Sequence, residues 1–447
     1  MVRPLTTPGF HPWLNRFAVL TAAATFVLLG AGGLVTSHGV GMAVPDWPNT
    51  YGYNLFFFPF SRWVGGVFYE HSHRLLASGV GLLTAVLALW LYGRTSRPLL
   101  RWTGTALTAA AAATLLAAPS RRADAFVLVA TGGAALAGSW FWPRCEPSPR
   151  WLRRLGVVAF FAVVLQGVLG GLRVVLFKDQ IGIFHAALAQ LFFALTCALA
   201  LFTSRWWQGA KPAAELRERA AAPAAPENPD RQAAEAEAPV RRLRLWFVLT
   251  TLLVLGQLIL GATMRHQHAG LAIPDFPLAY GKLWPAMDAA SVARYNQERM
   301  EVLDVNTITA LQIGLQMVHR LAAVLIAGAA GYCAWLARRS LGRRTVSSRL
   351  SLGWMGLILL QALLGAATIW TDKAADVATA HVLGGALTLA LGVMLSLTVW
   401  KESVVIAPPS RRAGASAAGA KDAQASPPRT EWEPVAGRER TPAIGLN

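Results

Sequence analysis

The sequence predicts an all-α polytopic membrane protein: two tandem four-helix bundles arising from a duplication, plus an inserted helical hairpin. Three observations predict it. The 447-residue chain is 54% hydrophobic and only 14% charged, where ordinary soluble domains carry roughly a quarter charged residues. Its apolar runs repeatedly reach about 20 residues, the length that crosses a hydrocarbon core. Four short features also recur in the same order on either side of a polar segment.

Ten runs satisfy the length criterion, near 15–36, 69–93, 99–118, 123–142, 153–173, 181–203, 243–263, 310–336, 350–370 and 377–400. The third and fourth are rich in alanine. Arginines cluster on alternate connections, as in Arg94, Arg97 and Arg101, then Arg241, Arg242 and Arg244, then Arg338, Arg339, Arg343 and Arg344. The positive-inside rule places those connections and both termini in the cytoplasm, a parity that ten spans satisfy. The net charge of +18 is spread in these short groups between apolar runs, which fits loops at a lipid bilayer and argues against a nucleic-acid partner. The three cysteines, Cys145, Cys197 and Cys333, form no CxxC or metal-ligand spacing, so neither a disulfide framework nor a zinc site is expected. The N-terminus resembles neither a cleaved signal nor an organelle transit peptide.

The chain divides into an N-terminal half of six spans at 1–207, a cytoplasmic linker at 208–242, and a C-terminal half of four spans at 243–403. A disordered cytoplasmic tail is expected at 404–447, since linker and tail are rich in Ala, Pro and charged or small polar residues. Between the halves AVPDWPNTYG (43–52) matches AIPDFPLAYG (272–281), and HRLL (73–76) matches HRLA (319–322). VLQGVLGG (164–171) matches LLQALLGA (359–366), with His185 and His381 downstream. Four ordered matches indicate a duplication, with the repeats in the same orientation. His73 and His185 stand 112 residues apart but His319 and His381 only 62. The excess is one helical hairpin, at 99–142.

The four repeated histidines share one depth. Each lies 19–21 residues from the first basic marker at the inner end of its helix, namely Arg94, Arg205, Arg338 and Lys401. At about 1.5 Å per residue that places all four roughly 30 Å above the inner boundary, near the outer face. A lone histidine in a span is as often a packing residue as a ligand. Four at matched depth, two per half on different helices, favour ligation, and a facing pair of imidazoles suits six-coordinate haem iron. One haem per half follows.

Neighbouring residues refine the picture. Arg74 and Arg320 directly follow a histidine; a guanidinium there can bind haem propionates or snorkel to headgroups. Glu70 stands three positions before His73, on its helix face, where Gln316 stands before His319. Glutamine cannot take a proton, so only the first half keeps an acid–base group beside its porphyrin; desolvation would raise the Glu70 pKa and make it a proton acceptor. His71 falls on another face, as an interfacial residue. The P-D-aromatic-P loops read either as fixed turns or as lids over the haems. His38, His266 and His268 read as surface histidines.

These residues resemble the haem A synthase family of cytochrome oxidase assembly proteins, over about residues 15–400 apart from the hairpin and linker. The markers are the ExxHR motif at 70–74, VHR at 318–320, and His185 and His381 beyond QxxLG segments. The resemblance implies oxidation of a ring methyl of haem O to the formyl of haem A, through successive hydroxylations. It further implies that His73 and His185 hold the substrate haem, that Glu70 assists proton transfer, and that His319 and His381 hold a resident haem b. A bacterial inner (plasma) membrane is the expected compartment, with the mitochondrial inner membrane as the alternative. A haem O synthase is an expected partner because a greasy, reactive haem must be handed over, and the sequence leaves the electron donor unidentified and oligomers open. Two departures stand out: the 37–68 loop lacks the cysteine pair some members carry, and the hairpin exceeds the family's eight-span plan. Two other functions compete, a diheme b-type electron-transfer protein and a haem transporter or chaperone.

Overall fold

The computed structural model describes residues 10–209, 229–302 and 307–406. The expected tail beyond 406, and residues 210–228 of the expected linker, lie outside the described residues. Apolar runs without interior helix breakers become long helices, because in lipid each backbone amide and carbonyl must be satisfied within its own segment. In order these are α1 (Pro12–Ser37), α2 (Gly65–Leu91), α3 (Arg97–Ala117), α4 (Arg122–Phe141), α5 (Arg150–Leu176) and α6 (Asp179–Thr203). A one-turn α7 (Arg205–Gln208) follows, then α8 (Pro229–His266), α9 (Ala289–Val302), α10 (Ala310–Ser340), α11 (Val346–Trp370) and α12 (Ala375–Ile406). The described residues contain no β-strand, only isolated bridges between Thr50 and Tyr53 and between Ala279 and Lys282.

Local chemistry sets the boundaries. Thr309 and Gln312 form a capping box that starts α10, and the Thr345 hydroxyl accepts from Ser348 N at the start of α11. Both satisfy amides that a helix start leaves open. Gly93, at φ +56°, turns the chain sharply after α2, a conformation that costs glycine little.

The helices of each half close a ring. α1 and α5 each pack on both α2 and α6, which leaves α2 diagonally opposite α6. In the second half α8 and α11 each pack on both α10 and α12, leaving α10 opposite α12. The halves meet where α1 and α6 face α8 and α12, and Phe193, Ala386 and Ala390 fill that seam with Phe26 and Leu29. Leu87, Leu91 and Leu199 centre the first core, and Phe247, Trp354 and Leu395 the second. Side chains such as Val324, Leu360 and Phe161 stand exposed on the helix flanks, where a bilayer rather than water is the natural neighbour.

Three features differ from expectation. Among the described residues nine helices, not ten, are long and apolar enough to cross a membrane. The expected span at 99–118 is the helix α3, but Arg97, Arg101 and its Thr residues keep its hydropathy below that of the others. Second, α8 begins at Pro229, inside the stretch expected as linker. Third, the helix α9 interrupts the second large loop and packs Tyr295 into a small core with Ile273, Ile308 and Ile313.

The 99–142 hairpin does form, α3 lying along α4. A Cβ on Gly132 would come within 2.8 Å of the Gly104 carbonyl, and one on Gly104 within 2.8 Å of the Gly132 carbonyl. Small residues let the two backbones approach so closely. Gly132→Val should therefore destabilise the hairpin by about 1–3 kcal/mol, read as a lower melting temperature in detergent. Gly133→Val is the control, because nothing lies within 4 Å of its added Cβ; equal effects at both positions would contradict this packing.

Candidate haem-binding site

The diagonal helices carry the histidines. His73 on α2 and His185 on α6 lie within electrostatic reach of each other, as do His319 on α10 and His381 on α12. All four sit within three turns of their helix starts, at the end of the bundles that bears the loops 38–64 and 267–309. Each ring rests against a glycine of an adjacent helix: His73 on Gly32, His185 on Gly170, His319 on Gly261 and His381 on Gly365. A Cβ there would stand 3.0–3.4 Å from the imidazole Cε1. Each ring is half-buried, and each Nδ1 is buried without a hydrogen-bond partner. Gln166 Nε2 donates to the His185 carbonyl at 3.1 Å, and Gln257 Nε2 to that of His319 at 2.9 Å, which pins the backbone beside two of the rings.

This donor set fits a haem. The porphyrin supplies four equatorial nitrogens, so the protein need offer only two imidazoles across the bundle. A bare zinc ion wants three or four protein ligands, and among the described residues no group of three His, Cys, Asp or Glu side chains is placed to hold a metal.

The residues beside the histidines hold the loops. Glu70 is 4% exposed. Its Oε2 accepts from Val44 N at 2.8 Å and its Oε1 from Arg74 at 2.8 Å. Arg74 also donates to the carbonyls of Val44, Asp46 and Asn49 at 2.7–2.9 Å. In the second half Gln316 Oε1 accepts from Ile273 N at 2.7 Å, while its Nε2 donates to the Gly270 and Ile273 carbonyls. Arg320 donates to the carbonyls of Asp275 and Leu278. Each P-D-aromatic-P loop is a fixed turn as well: Asp46 accepts from Tyr51 N and Gly52 N, and Asp275 from Tyr280 N and Gly281 N. Glu70 and Gln316 thus do the same work on matching backbone amides, Val44 N and Ile273 N, and only the glutamate needs an arginine to balance its charge.

Other expected positions land elsewhere. His71 is not interfacial: it is fully buried under the first loop, with Nδ1 3.1 Å from Thr50 Oγ1 and its ring against Phe58 and Trp63. His266 is buried, its ring pressed on Gly182, whereas His38 is exposed and stacks on Tyr69, and His268 is exposed. The sequence reading missed Gly32, Gly261 and Gln257, whose importance depends on which helix lies beside which. Gly170 and Gly365 were visible as the last residue of each QxxLG segment.

The fold and site define an integral membrane protein with two imidazole pairs, each set diagonally across a ring of four helices. A sequence profile described as cytochrome oxidase assembly protein matches residues 125–393, more than half of the chain, and the chain belongs to that family, the haem A synthases. A curated relative, heme A synthase from Shouchella clausii (strain KSM-K16), is 24% identical over 318 residues, covering 71% of this chain and 73% of that protein.

Two expectations test the loop clasps. Glu70→Gln keeps the bond from Val44 N but loses the charged partner of Arg74. Gln316→Glu turns a donor to two carbonyls into a carboxylate facing them. Each should cost about 1–3 kcal/mol and speed amide hydrogen exchange, at 43–53 for the first and at 270–281 for the second; unchanged exchange would refute the clasp. Burial also pushes the Tyr280 hydroxyl, which donates to the Ala272 carbonyl, up to about 12. The fold favours its neutral form, so its stabilisation is full below the ordinary tyrosine value near 10 and is lost as pH rises toward 12. Absorbance titration at alkaline pH should show a late tyrosinate that Tyr280→Phe removes.

Proposed function

We propose that this protein is a haem A synthase that oxidises a ring methyl of haem O to the formyl group of haem A. The observation that supports this reading best is the pair of matched histidine sites with a carboxylate beside only one of them. His73 and His185 would hold the substrate haem, and His319 and His381 a resident haem b that relays electrons from a donor. Both sites would lie near the outer face of a bacterial plasma membrane, where a haem O synthase could hand over its product. The oxidising power belongs to the haem iron, and the protein supplies placement and proton control.

The chain's own residues then have distinct tasks. The four imidazoles would hold the two tetrapyrroles, and the facing glycines leave room for the histidine rings against neighbouring helices. The 43–53 loop, held by Glu70 and Arg74, covers the first site and excludes water from it. Glu70 can accept a proton at Oε1 by releasing Arg74 while Oε2 keeps its bond from Val44 N. Gln316 offers no such exchange. Arg74 and Arg320 would reach a propionate with whatever donor capacity the loop carbonyls leave.

Expression in cells that make haem O, followed by chromatography of the extracted haems, tests this reading. Haem A should accumulate with the native protein and fall about 10²-fold with Glu70→Gln, as expected for loss of an acid–base group. His319→Ala and His381→Ala should remove the low-spin b-type spectrum from purified protein, while His73→Ala keeps that spectrum and makes no haem A. Haem O left unchanged by the native protein would favour a diheme electron carrier, and a colourless protein would refute both.

A further inference from the structure

The seam between the two bundles holds a cavity of about 350 Å³ at the loop-bearing end. Arg173 from the end of α5, Arg265 and His266 from the end of α8, and Lys373 from the α11–α12 turn line it, with Asp179 as the one carboxylate on its wall. Two arginines and a lysine therefore face one acid. The side chains of Arg173 and Lys373 make no hydrogen bond or ion pair with any described residue. Arg265 donates to the Gly33 carbonyl at 2.9 Å and to Ser37 Oγ, and its Nε is buried without a partner. Glu70 lies within electrostatic reach of Arg173, but both of its oxygens are committed to Arg74 and Val44 N. Burial, with Arg265 nearby, pushes Lys373 below the ordinary lysine value. Crowding like charges in a half-buried space is costly unless an anion sits among them.

The repeated motifs do not carry these cations. With Val44 set on Ile273, Thr36 corresponds to Arg265, Ser37 to His266 and Gly39 to His268, and both sets line the same cavity. At these matched positions α1 therefore presents small neutral groups to the space, and α8 with the residues after it presents an arginine and two histidines. Through the QxxLG segments Arg173 corresponds to Thr368. Gly41 keeps the space beside Arg173 open, since a Cβ there would stand 3.1 Å from both guanidinium Nη atoms.

We propose that this seam cavity is an oxyanion site, taking a carboxylate or phosphate group on Arg173, Lys373 and Arg265. Two sources carry that chemistry to this place. One is a haem propionate, because Arg173 lies within electrostatic reach of His73 and His185, and Arg265 of His381. The other is the phosphate of an acidic phospholipid entering between the bundles. The first source rests on the haem reading above, and the second does not.

The test uses the full-length protein in detergent, with inorganic phosphate as the probe against chloride at equal ionic strength. Phosphate should raise the melting temperature saturably, with a half-point about tenfold higher in Arg173→Gln and Lys373→Gln and restored toward native in Arg173→Lys. Two further titrations identify the source. Haem with esterified propionates should bind the native protein more weakly than haem does, and the variants should lose that difference, if a propionate occupies the site. Native mass spectrometry from phosphatidylglycerol against phosphatidylcholine nanodiscs should show a retained acidic lipid that the variants shed, if a lipid does. A protein that binds no haem removes the propionate source and leaves the phosphate result to decide. Equal melting in phosphate and chloride, or equal phosphate shifts in native protein and both glutamine variants, overturns the proposal.

Discussion

Both histidine pairs of this protein depend on one contact, a histidine ring laid against a glycine of an adjacent helix. An imidazole is too bulky to sit between two close-packed helices that both carry side chains at the same level. The glycines at 32, 170, 261 and 365 remove the obstacle at four places, so the rings are held at one height without forcing the helices apart. The ring order of each bundle then sets the histidine helices diagonally, so the two imidazoles of a pair come from opposite helices and lie within electrostatic reach of each other. Two imidazoles brought into one bundle from opposite helices are a donor set that fits a haem.

The second layer of organisation is the loop clasp. Backbone carbonyls exposed at a membrane boundary need donors, and each half supplies an arginine one position after its histidine. The helix also supplies an acceptor for the loop amide, Glu70 in one half and Gln316 in the other. Glutamine satisfies both the amide and nearby carbonyls by itself, and so leaves Arg320 to the loop. Glutamate can only accept, so Arg74 is drawn onto it. The one difference between Glu70 and Gln316 thereby makes one clasp charged and leaves the other neutral.

The same economy operates at the seam. Helices α1 and α8 bring matching positions to one cavity, and their side chains there differ in charge. The hairpin of α3 and α4 contributes nothing to the histidine sites. It is tied to the first loop by the Asn54–Asp124 hydrogen bond and the contact of Phe57 with Phe126.

Hydropathy by itself determined the helical membrane class, because a run of about 20 apolar residues has few other solutions. It counted one helix more than the nine described ones that are long and apolar enough to cross a membrane, because the arginines and threonines of α3 lower its average hydropathy. The repeated motifs determined which histidines belong together, since spacing along a helix fixes depth. Tertiary structure alone decided what each neighbour does. The sequence placed Glu70 on the face of His73 and left Arg74 between two roles, yet three-dimensional packing committed both to the loop. His71 shows the same limit: helical periodicity put it on another face, and only the folded loop, closing over it with Thr50 and Phe58, made that face an interior. Periodicity reports the direction in which a side chain leaves its own helix, and what it meets there is set by residues distant in the chain.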